Sequence, residues 1–261
     1  MKPKALVLQA HGSNRDIDVM DALSLADADP TGIPLNDLRM NNTLFRDFDL
    51  LVVPGGFSYA DALGAGKLLA LDLASYFADK ISAFVDSGKP VIGICNGFQA
   101  LVKSGILPST SGSGAGGEGV TLTFNAQGHF ECRWVNLKPV SQKCIWTKDL
   151  SENITCPIAH GEGNFQTTPL FPLSSFIEQD QIALAYTQAD GSPADGEYPL
   201  NPNGSILDIA GICNPQGNVL GLMPHPENHI HTWQHPRHTR GERSGSGLKL
   251  FDNGVKYAMQ I

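Results

Sequence analysis

From residue 4 to residue 103, short apolar runs alternate with stretches in which apolar residues recur at helical spacing. The apolar runs predict buried strands at residues 4–8, 49–54 and 90–94. The helical spacing predicts helices at residues 16–28 and 96–103 and one or two helices at residues 63–87. Strands that are apolar throughout and alternate with helices are typical of a parallel sheet covered on both faces.

The pattern changes after residue 108. Residues 109–119 are rich in Ser and Gly and predict a loop. Further strands are predicted at residues 120–124, 130–137, 182–187, 206–213 and 219–223, and a last helix at residues 248–259. The last two of these strands are joined by the turn sequence Asn-Pro-Gln-Gly. We therefore expect an α/β fold: a flavodoxin-like open, mostly parallel sheet with helices on both faces and an antiparallel extension.

The chain has 261 residues, of which 41% are hydrophobic, which is enough for one sizeable core. Length alone also permits two small domains. Because there is no internal repeat and no long linker, we expect one domain over residues 1–261, with residues 228–261 as a C-terminal extension.

The formal net charge of -8 argues against a nucleic-acid or membrane-surface partner held by bulk charge. No apolar run approaches the roughly 20 residues of a membrane span, and the first residues turn polar too early for a signal peptide. The five cysteines are widely spaced and include no CxxC pair. This spacing favours reduced thiols in a cytoplasm over a disulfide framework or a zinc site.

The sequence GICNGFQA, residues 93–100, places a cysteine between two glycines where a predicted strand meets a predicted helix. A cysteine without such a context is more often a small buried hydrophobic residue. Strand, Gly-x-Cys-x-Gly and helix in this order form the layout of a nucleophile elbow, whose tight turn needs small residues such as Gly93 and Gly97. The helix N-terminus favours a thiolate. We therefore expect Cys95 to be a nucleophile.

A histidine and a glutamate, His225 and Glu227, directly follow the last predicted strand. Pro224 and Pro226 favour an extended backbone, in which side chains two residues apart share a face. A carboxylate beside an imidazole fixes its tautomer and stabilises its charged form, so we expect His225 to be the acid and base for Cys95 and Glu227 to orient it. The alternative is that both are surface residues in a proline-rich turn.

His160 and Glu162 form a second pair at the same spacing. The glycines at 161 and 163 predict a mobile loop, which is a poorer support for an oriented base. We therefore rank this pair second as a base and higher as a substrate contact, with a polar loop of no catalytic role as the alternative.

A glycine pair, Gly55 and Gly56, ends the predicted strand at residues 49–54. Adjacent glycines let backbone N–H groups face a ligand closely, as an oxyanion hole requires. The residue after a nucleophile, here Asn96, supplies a second such donor. An ordinary turn at the end of a strand is the alternative.

Four separated motifs, GICNGFQ, PGGFSYAD, PIAHGEGNF and GNVLGLMPHPE, together resemble the class I (triad) glutamine amidotransferases. The Asn after the cysteine, the AHGEG segment and the Asn-Pro-Asn-Gly-Ser sequence at 201–205 are similar to one branch, the glutaminase component (subunit I) of phosphoribosylformylglycinamidine synthase. Two departures leave partner contacts open. The chain has Asn-Arg-Asp at 14–16 where many relatives have Asn-Cys-Asp, and Tyr-Ala-Asp at 59–61 where Tyr-Gly-Asp is usual.

The resemblance implies roles for individual residues. Cys95 would be the nucleophile, His225 the acid and base, and Glu227 its orienting group. The backbone of Gly56 and Asn96 would form the oxyanion hole. Contacts to the substrate are implied for Gly55, Gln99, His160 and Glu162.

The resemblance also implies a reaction and partners. Glutamine would be hydrolysed to glutamate and ammonia through a cysteinyl thioester. A large synthetase subunit, often with a small bridging subunit, would use the ammonia to convert formylglycinamide ribonucleotide and ATP to formylglycinamidine ribonucleotide in purine biosynthesis.

We expect no cofactor in this chain, and ATP and Mg on the partner. The glycine-containing stretches at 64–67 and 112–117 lack the sequence or the strand-and-helix context of a phosphate-binding loop.

Two other classes of function remain possible from the residues. One is a cysteine hydrolase or chaperone-like protein on the same type of sheet, although no carboxylate stands at the earlier glycine-rich turn as a partner for its cysteine. The other is a metal-binding module, because His225, His229, His231, His235 and His238 crowd one stretch. Pro226 and Pro236 prevent one helix from aligning these histidines, so we expect a solvated tail instead. The arginines at 237, 240 and 243 fit either a partner contact or a solvated surface.

Overall fold

A computed structural model of the chain describes residues 2–108, 119–169, 172–243 and 245–261. The loop predicted at 109–119 lies outside the described residues except for its last position, and so does the glycine-containing stretch at 112–117.

One nine-stranded sheet runs through the molecule in the order β2-β1-β3-β4-β11-β10-β9-β6-β7, and β5 pairs with β8 in a separate small sheet. The strands are β1 Lys4–Gln9, β2 Asp29–Pro34, β3 Leu50–Val53, β4 Val91–Ile94, β5 Val120–Thr123, β6 Glu131–Pro139, β7 Ile154–His160, β8 Asn164–Thr167, β9 Ile182–Thr187, β10 Ile209–Cys213 and β11 Val219–Leu222. The helices are α1 Asp16–Leu25, α2 Leu35–Met40, α3 Lys67–Tyr76, α4 Ala78–Asp86, α5 Asn96–Lys103, α6 Leu173–Glu178 and α7 Leu248–Ala258.

Strands β2, β1, β3, β4 and β11 are parallel, and pairing is antiparallel from β11 through β7. The chain moves from β1 outward to β2, but from β3 to β4 in the other direction. Because such crossovers are right-handed, α1 covers one face of the sheet and α3 and α4 cover the other. The predicted fold class is confirmed. Ligands of open α/β sheets bind beyond the carboxyl ends of the strands near this reversal.

The strand β2 was not expected from the sequence. A helix was predicted through residue 28, but α1 ends at Leu25, and Asp29–Pro34 pairs in parallel with β1. This strand contains two prolines and lies at the edge of the sheet, the position where a proline removes no necessary ladder hydrogen bond.

The antiparallel half also contains strands that the sequence did not predict, β7 and β8. Of the two strands predicted from 120 to 137, only β6 joins the large sheet, whereas β5 pairs with β8. In β7, buried and partly exposed positions alternate, which is the pattern of a strand with one covered face.

The solvated tail expected for the histidine-rich stretch is wrong. His229 and His235 are buried, and both rings contact the indole of Trp134. The helix α7 that follows packs against α1 and β3. Among the described residues, no three His, Cys, Asp or Glu side chains are grouped to hold a metal ion.

The described helices include none that is long and apolar enough to cross a membrane. The five cysteines, all within the described ranges, are free thiols.

Strand β3 and the first turn of α5 approach so closely that only glycine fits between them. A Cβ on Gly97 would lie 1.9 Å from the carbonyl oxygen of Val53 and 2.7 Å from its carbon. Backbone atoms cannot move away as a flexible side chain would. The end of β3 and the turn at Cys95 are thereby held in contact.

We expect Gly97→Ala to lower the free energy of unfolding by about 3 kcal/mol, because the added methyl group has no space. Gly161→Ala is the matched control, since its Cβ would meet only an atom of Phe130 at 3.9 Å. The control should stay within about 0.5 kcal/mol of wild type. Urea unfolding of both variants measures this, and equal stability of the two would contradict the described packing.

Candidate active site

Cys95 lies in a strained turn between β4 and α5. Its backbone has φ 49 and ψ -105, a conformation that a residue with a side chain adopts only when its surroundings impose it. Gly93 permits this turn, because a Cβ there would lie 2.4 Å from Leu101 and 3.0 Å from the backbone of Gly97. The predicted order of strand, strained cysteine and helix is therefore present. The first N–H groups of α5 have no partner within the helix and point toward the turn.

His225 and Glu227 follow β11, which is the parallel neighbour of β4. The Nδ1 of His225 lies 2.6 Å from Oε1 of Glu227, and both side chains are buried. The backbone N–H of His225 donates to the carbonyl of Pro157 at 2.8 Å, which fixes the histidine to β7. The extended path expected through residue 227 is wrong, because Pro226–Asn228 forms a 3₁₀ turn. The turn still brings the two side chains together.

The electrostatics of His225 favour its charged form. Burial acts against that charge, but the charge of Glu227, the charge of Cys95 and hydrogen bonds to both residues overcome it and raise the pKa of His225 to about 10. Because Nδ1 faces Glu227, Nε2 is the ring atom left for the sulfur of Cys95. An imidazolium beside a thiol stabilises the thiolate, so the geometry is suited to nucleophilic attack.

The glycine pair after β3 lies beside the cysteine turn, since a Cβ on Gly55 would be 3.3 Å from Cβ of Cys95. Gly56 has φ +100, and a Cβ there would lie 2.3 Å from Oδ1 of Asn14. A Cβ on Gly55 would lie 2.8 Å from Cε1 of His225, so this glycine lets the imidazole approach. Gly56 and Asn96 line the same cavity as Cys95. The oxyanion-hole role of their N–H groups stays a prediction.

The side chain of Asn96 joins the cysteine turn to the segment after β3, a contact that the sequence did not reveal. Its Oδ1 accepts from the backbone N–H of Ser58 at 3.0 Å and from the Ser58 hydroxyl. Its Nδ2 donates to Asp61 at 2.9 Å and to Gln99 at 3.1 Å. Burial raises the pKa of Asp61 above its ordinary value. Tyr-Ala-Asp at 59–61, noted as a departure from relatives, supplies this carboxyl group and has left-handed backbone throughout.

The predicted substrate contacts Gln99, His160 and Glu162 all line the cavity. Gln99 is buried, and its Nε2 donates to the carbonyl of Glu162 at 2.6 Å. The Glu162 carboxylate accepts from the N–H of Ala65 at 3.2 Å and lies 3.4 Å from Nζ of Lys103. Their contact with a substrate stays a prediction.

The mobile loop predicted around His160 is wrong. His160 is the last residue of β7, and its side chain is only 3% exposed. Burial and, next, the charge of His225 lower the pKa of His160 to about 3. An imidazole with so low a pKa accepts a proton poorly, so His160 is unsuited to be the base. This agrees with its lower ranking as a candidate base.

The cavity above Cys95 has a volume of ≈ 180 Å³. Its lining includes residues that sequence reasoning did not assign: Asn14, Arg15, Phe57, Phe124, Phe130 and Ala159. The rings of Phe57 and Phe130 stack at 6.2 Å, and both are partly exposed. Phe57, Asn14, Arg15 and Ala159 lie in or beside motifs noted in the sequence, whereas Phe124 and Phe130 had no such signal.

Comparison with known proteins assigns the whole chain to one group. The profile of a family described as CobB/CobQ-like glutamine amidotransferase domain matches residues 2–258. The phosphoribosylformylglycinamidine synthase subunit PurQ of Treponema denticola is 53% identical over 270 residues, covering 99% of this chain and 100% of that protein. The subunit of the same name from Dehalococcoides mccartyi is 40% identical over 264 residues, covering 100% and 99%. A solved structure of PurLQS from Thermotoga maritima contains a chain with a TM-score of 0.72 and 32% identity, covering 98% of this chain and 99% of that one.

We expect Glu227→Gln to lower the pKa of His225 below about 10, because the amide keeps the shape of the carboxylate but not its charge. Alkylation of Cys95 by iodoacetamide should then slow by about tenfold or more at neutral pH, because less of His225 would carry the positive charge that activates a neighbouring thiol. Peptide mass spectrometry measures the rate at Cys95 separately from the exposed Cys132. Glu152→Gln, which removes a carboxylate paired with Lys249 at the surface, is the control. A Cys95 rate that is unchanged by Glu227→Gln would contradict the described electrostatics.

The two buried histidines should shape the pH dependence of stability in opposite directions. Below pH 6.5 the unfolded chain protonates His160 while the folded chain does not, so stability is lost as the pH falls toward about 3. His225 stays charged in the folded chain up to about 10, so its contribution is complete below 6.5 and is lost as the pH rises toward about 10. The free energy of unfolding, measured with urea across pH, should fall less steeply below pH 6.5 for His160→Phe than for wild type. An identical loss of stability in the two proteins below pH 6.5 would exclude a depressed pKa at His160.

Proposed function

The chain belongs to the family of CobB/CobQ-like glutamine amidotransferase domains, and from this membership we propose that it is the glutaminase subunit of a phosphoribosylformylglycinamidine synthase. It would release ammonia from glutamine and deliver it to a synthetase subunit. The observation that carries the proposal is that His225, hydrogen-bonded to Cys95 and to Glu227, lines the same cavity as Cys95. Full-length identity of 53% to a subunit of that enzyme supports the choice of branch.

The proposed chemistry is acyl transfer through a thioester. The Cys95 thiolate attacks the carboxamide carbon of glutamine, and the N–H groups of Gly56 and Asn96 hold the oxyanion. The His225 imidazolium protonates the leaving nitrogen, because an amide ion is too basic to depart. Water, deprotonated by the same imidazole, then attacks the thioester, and glutamate leaves. Glu227 keeps His225 in one orientation and balances its charge throughout.

The fate of the ammonia implies a second protein. We propose a large synthetase subunit that binds formylglycinamide ribonucleotide, ATP and Mg, together with a small bridging subunit. The solved PurLQS assembly from Thermotoga maritima contains the structural relative of this chain, which supports such a complex. This chain would then need no cofactor of its own.

We further propose that residues 1–261 work as one glutamine amidotransferase domain in the cytoplasm. Residues 228–261 would be its extension, and the packing of α7 against α1 supports their attachment to the same unit.

We expect Cys95→Ala to abolish glutamine-dependent synthesis in the assembled enzyme while ammonia-dependent synthesis continues, because only the ammonia source is lost. The loss should be on the order of 10⁴-fold or more, as for removal of other enzymatic nucleophiles. Measuring glutamate release and formylglycinamidine ribonucleotide formation with each nitrogen source gives both values.

Cys132→Ala is the matched control, since that thiol is exposed and lies outside the cavity. It should retain glutamine-dependent activity. Glutamate release that survives in Cys95→Ala would refute the assignment. Hydrolysis of peptides but not of glutamine by wild type would favour the cysteine-hydrolase alternative.

A further inference from the structure

His160 has a buried ring nitrogen without a use in the proposed chemistry. Its Nε2 has no hydrogen-bond partner among the described residues, although the residue lines the cavity with Cys95 and His225. An unpaired buried acceptor destabilises a fold, so a retained one requires an explanation. The surroundings of the ring supply that explanation.

The hydrogen bonds of the buried residue Asn125 determine which atom of its amide group faces His160. Its Nδ2 donates to the carbonyls of His129 at 3.0 Å and of His160 at 2.8 Å. Its Oδ1 accepts from the N–H of Gly163 at 3.0 Å. Reversing the amide would place donor against donor and acceptor against acceptor at these contacts. The oxygen is therefore the atom that faces the imidazole.

The position of that oxygen fixes the tautomer of His160. Nδ1 lies 3.2 Å from Oδ1 of Asn125, so Nδ1 carries the proton and donates it. Burial and the charge of His225 keep the ring neutral, because they lower its pKa to about 3. A neutral imidazole protonated on Nδ1 presents a lone pair on Nε2. Gly163 leaves room for this ring, since a Cβ there would lie 2.2 Å from Cε1 of His160.

We propose that Nε2 of His160 accepts a hydrogen bond from the N–H of a primary carboxamide in the cavity, and that Asn125 is the residue that positions it for this purpose. The inference rests on the proposed glutaminase function and adds the basis of its selectivity. A carboxamide offers two N–H donors, whereas a carboxylate offers only acceptors. The same lone pair therefore binds glutamine and disfavours the product glutamate.

The kinetic test is His160→Phe in the assembled enzyme. Phenylalanine keeps a planar ring but removes both nitrogens, and Asn125 Oδ1 retains the N–H of Gly163. The KM for glutamine should rise roughly 3- to 10-fold, the value of one hydrogen bond, and glutamate should become a relatively stronger inhibitor. His129→Phe changes a half-exposed ring in the segment between β5 and β6, outside the cavity, and should leave both constants unchanged. A folded His160→Phe variant with the wild-type KM and inhibition would overturn the proposal.

The second test does not need a His160 variant. Cys95→Ala protein with ¹⁵N-labelled histidine binds ligands without turnover, and the resonance of Nε2 reports hydrogen bonding to its lone pair. Glutamine should shift the His160 Nε2 resonance, and glutamate at equal saturation should not. Equal shifts with both ligands, or none with bound glutamine, would overturn the inference. Absence of glutaminase activity from the wild-type complex would instead overturn the proposed function, and that activity is measured first.

Discussion

The parallel pairing of β4 with β11 is the contact on which the site depends. It aligns Gly93 with Gly221 and Ile94 with Leu222, so the turns after the two strands meet at one edge of the sheet. Cys95 and His225 come from those turns, far apart in the sequence. Because β3 is the other parallel neighbour of β4, the glycine pair after β3 reaches the same edge. One sheet register thus brings the predicted nucleophile, base and oxyanion donors to the same place.

Close packing and buried hydrogen bonds maintain that arrangement. Glycines at 55, 93 and 97 lie where a Cβ would meet the imidazole of His225 or neighbouring backbone. The Asn96 side chain fastens the segment after β3 to α5. The Asn125 side chain fastens the segment after β5 to His160 at the end of β7, and β7 in turn accepts the backbone N–H of His225 at Pro157. These contacts therefore hold Cys95 in its strained backbone conformation, as a preorganised site requires.

The sequence predicted the parts of this site that local patterns encode. Glycine turns after apolar strands revealed Cys95 and the glycine pair, and a proline-flanked segment after the last strand revealed His225, because each signal lies next to its strand in the chain. β2 was missed because its prolines are tolerated only at a sheet edge, which spacing alone does not indicate. His160 was mistaken for a loop residue because Gly161 and Gly163 follow it closely, whereas burial against Asn125 keeps it in a strand. Asn125 had no signal, since its importance lies in contacts that exist only after folding.

In the proposed mechanism, glutamine forms a covalent intermediate on Cys95, and His225 is the proton carrier. The most direct measurement is acid quenching of the assembled enzyme during turnover of ¹³C-labelled glutamine, followed by peptide mass spectrometry. We expect a glutamyl thioester on the peptide that contains Cys95. The thioester should accumulate in His225→Asn, because this substitution slows hydrolysis of the thioester more than its formation. Label on another residue, or continued glutamate release with no labelled Cys95 under any quench time, would contradict it.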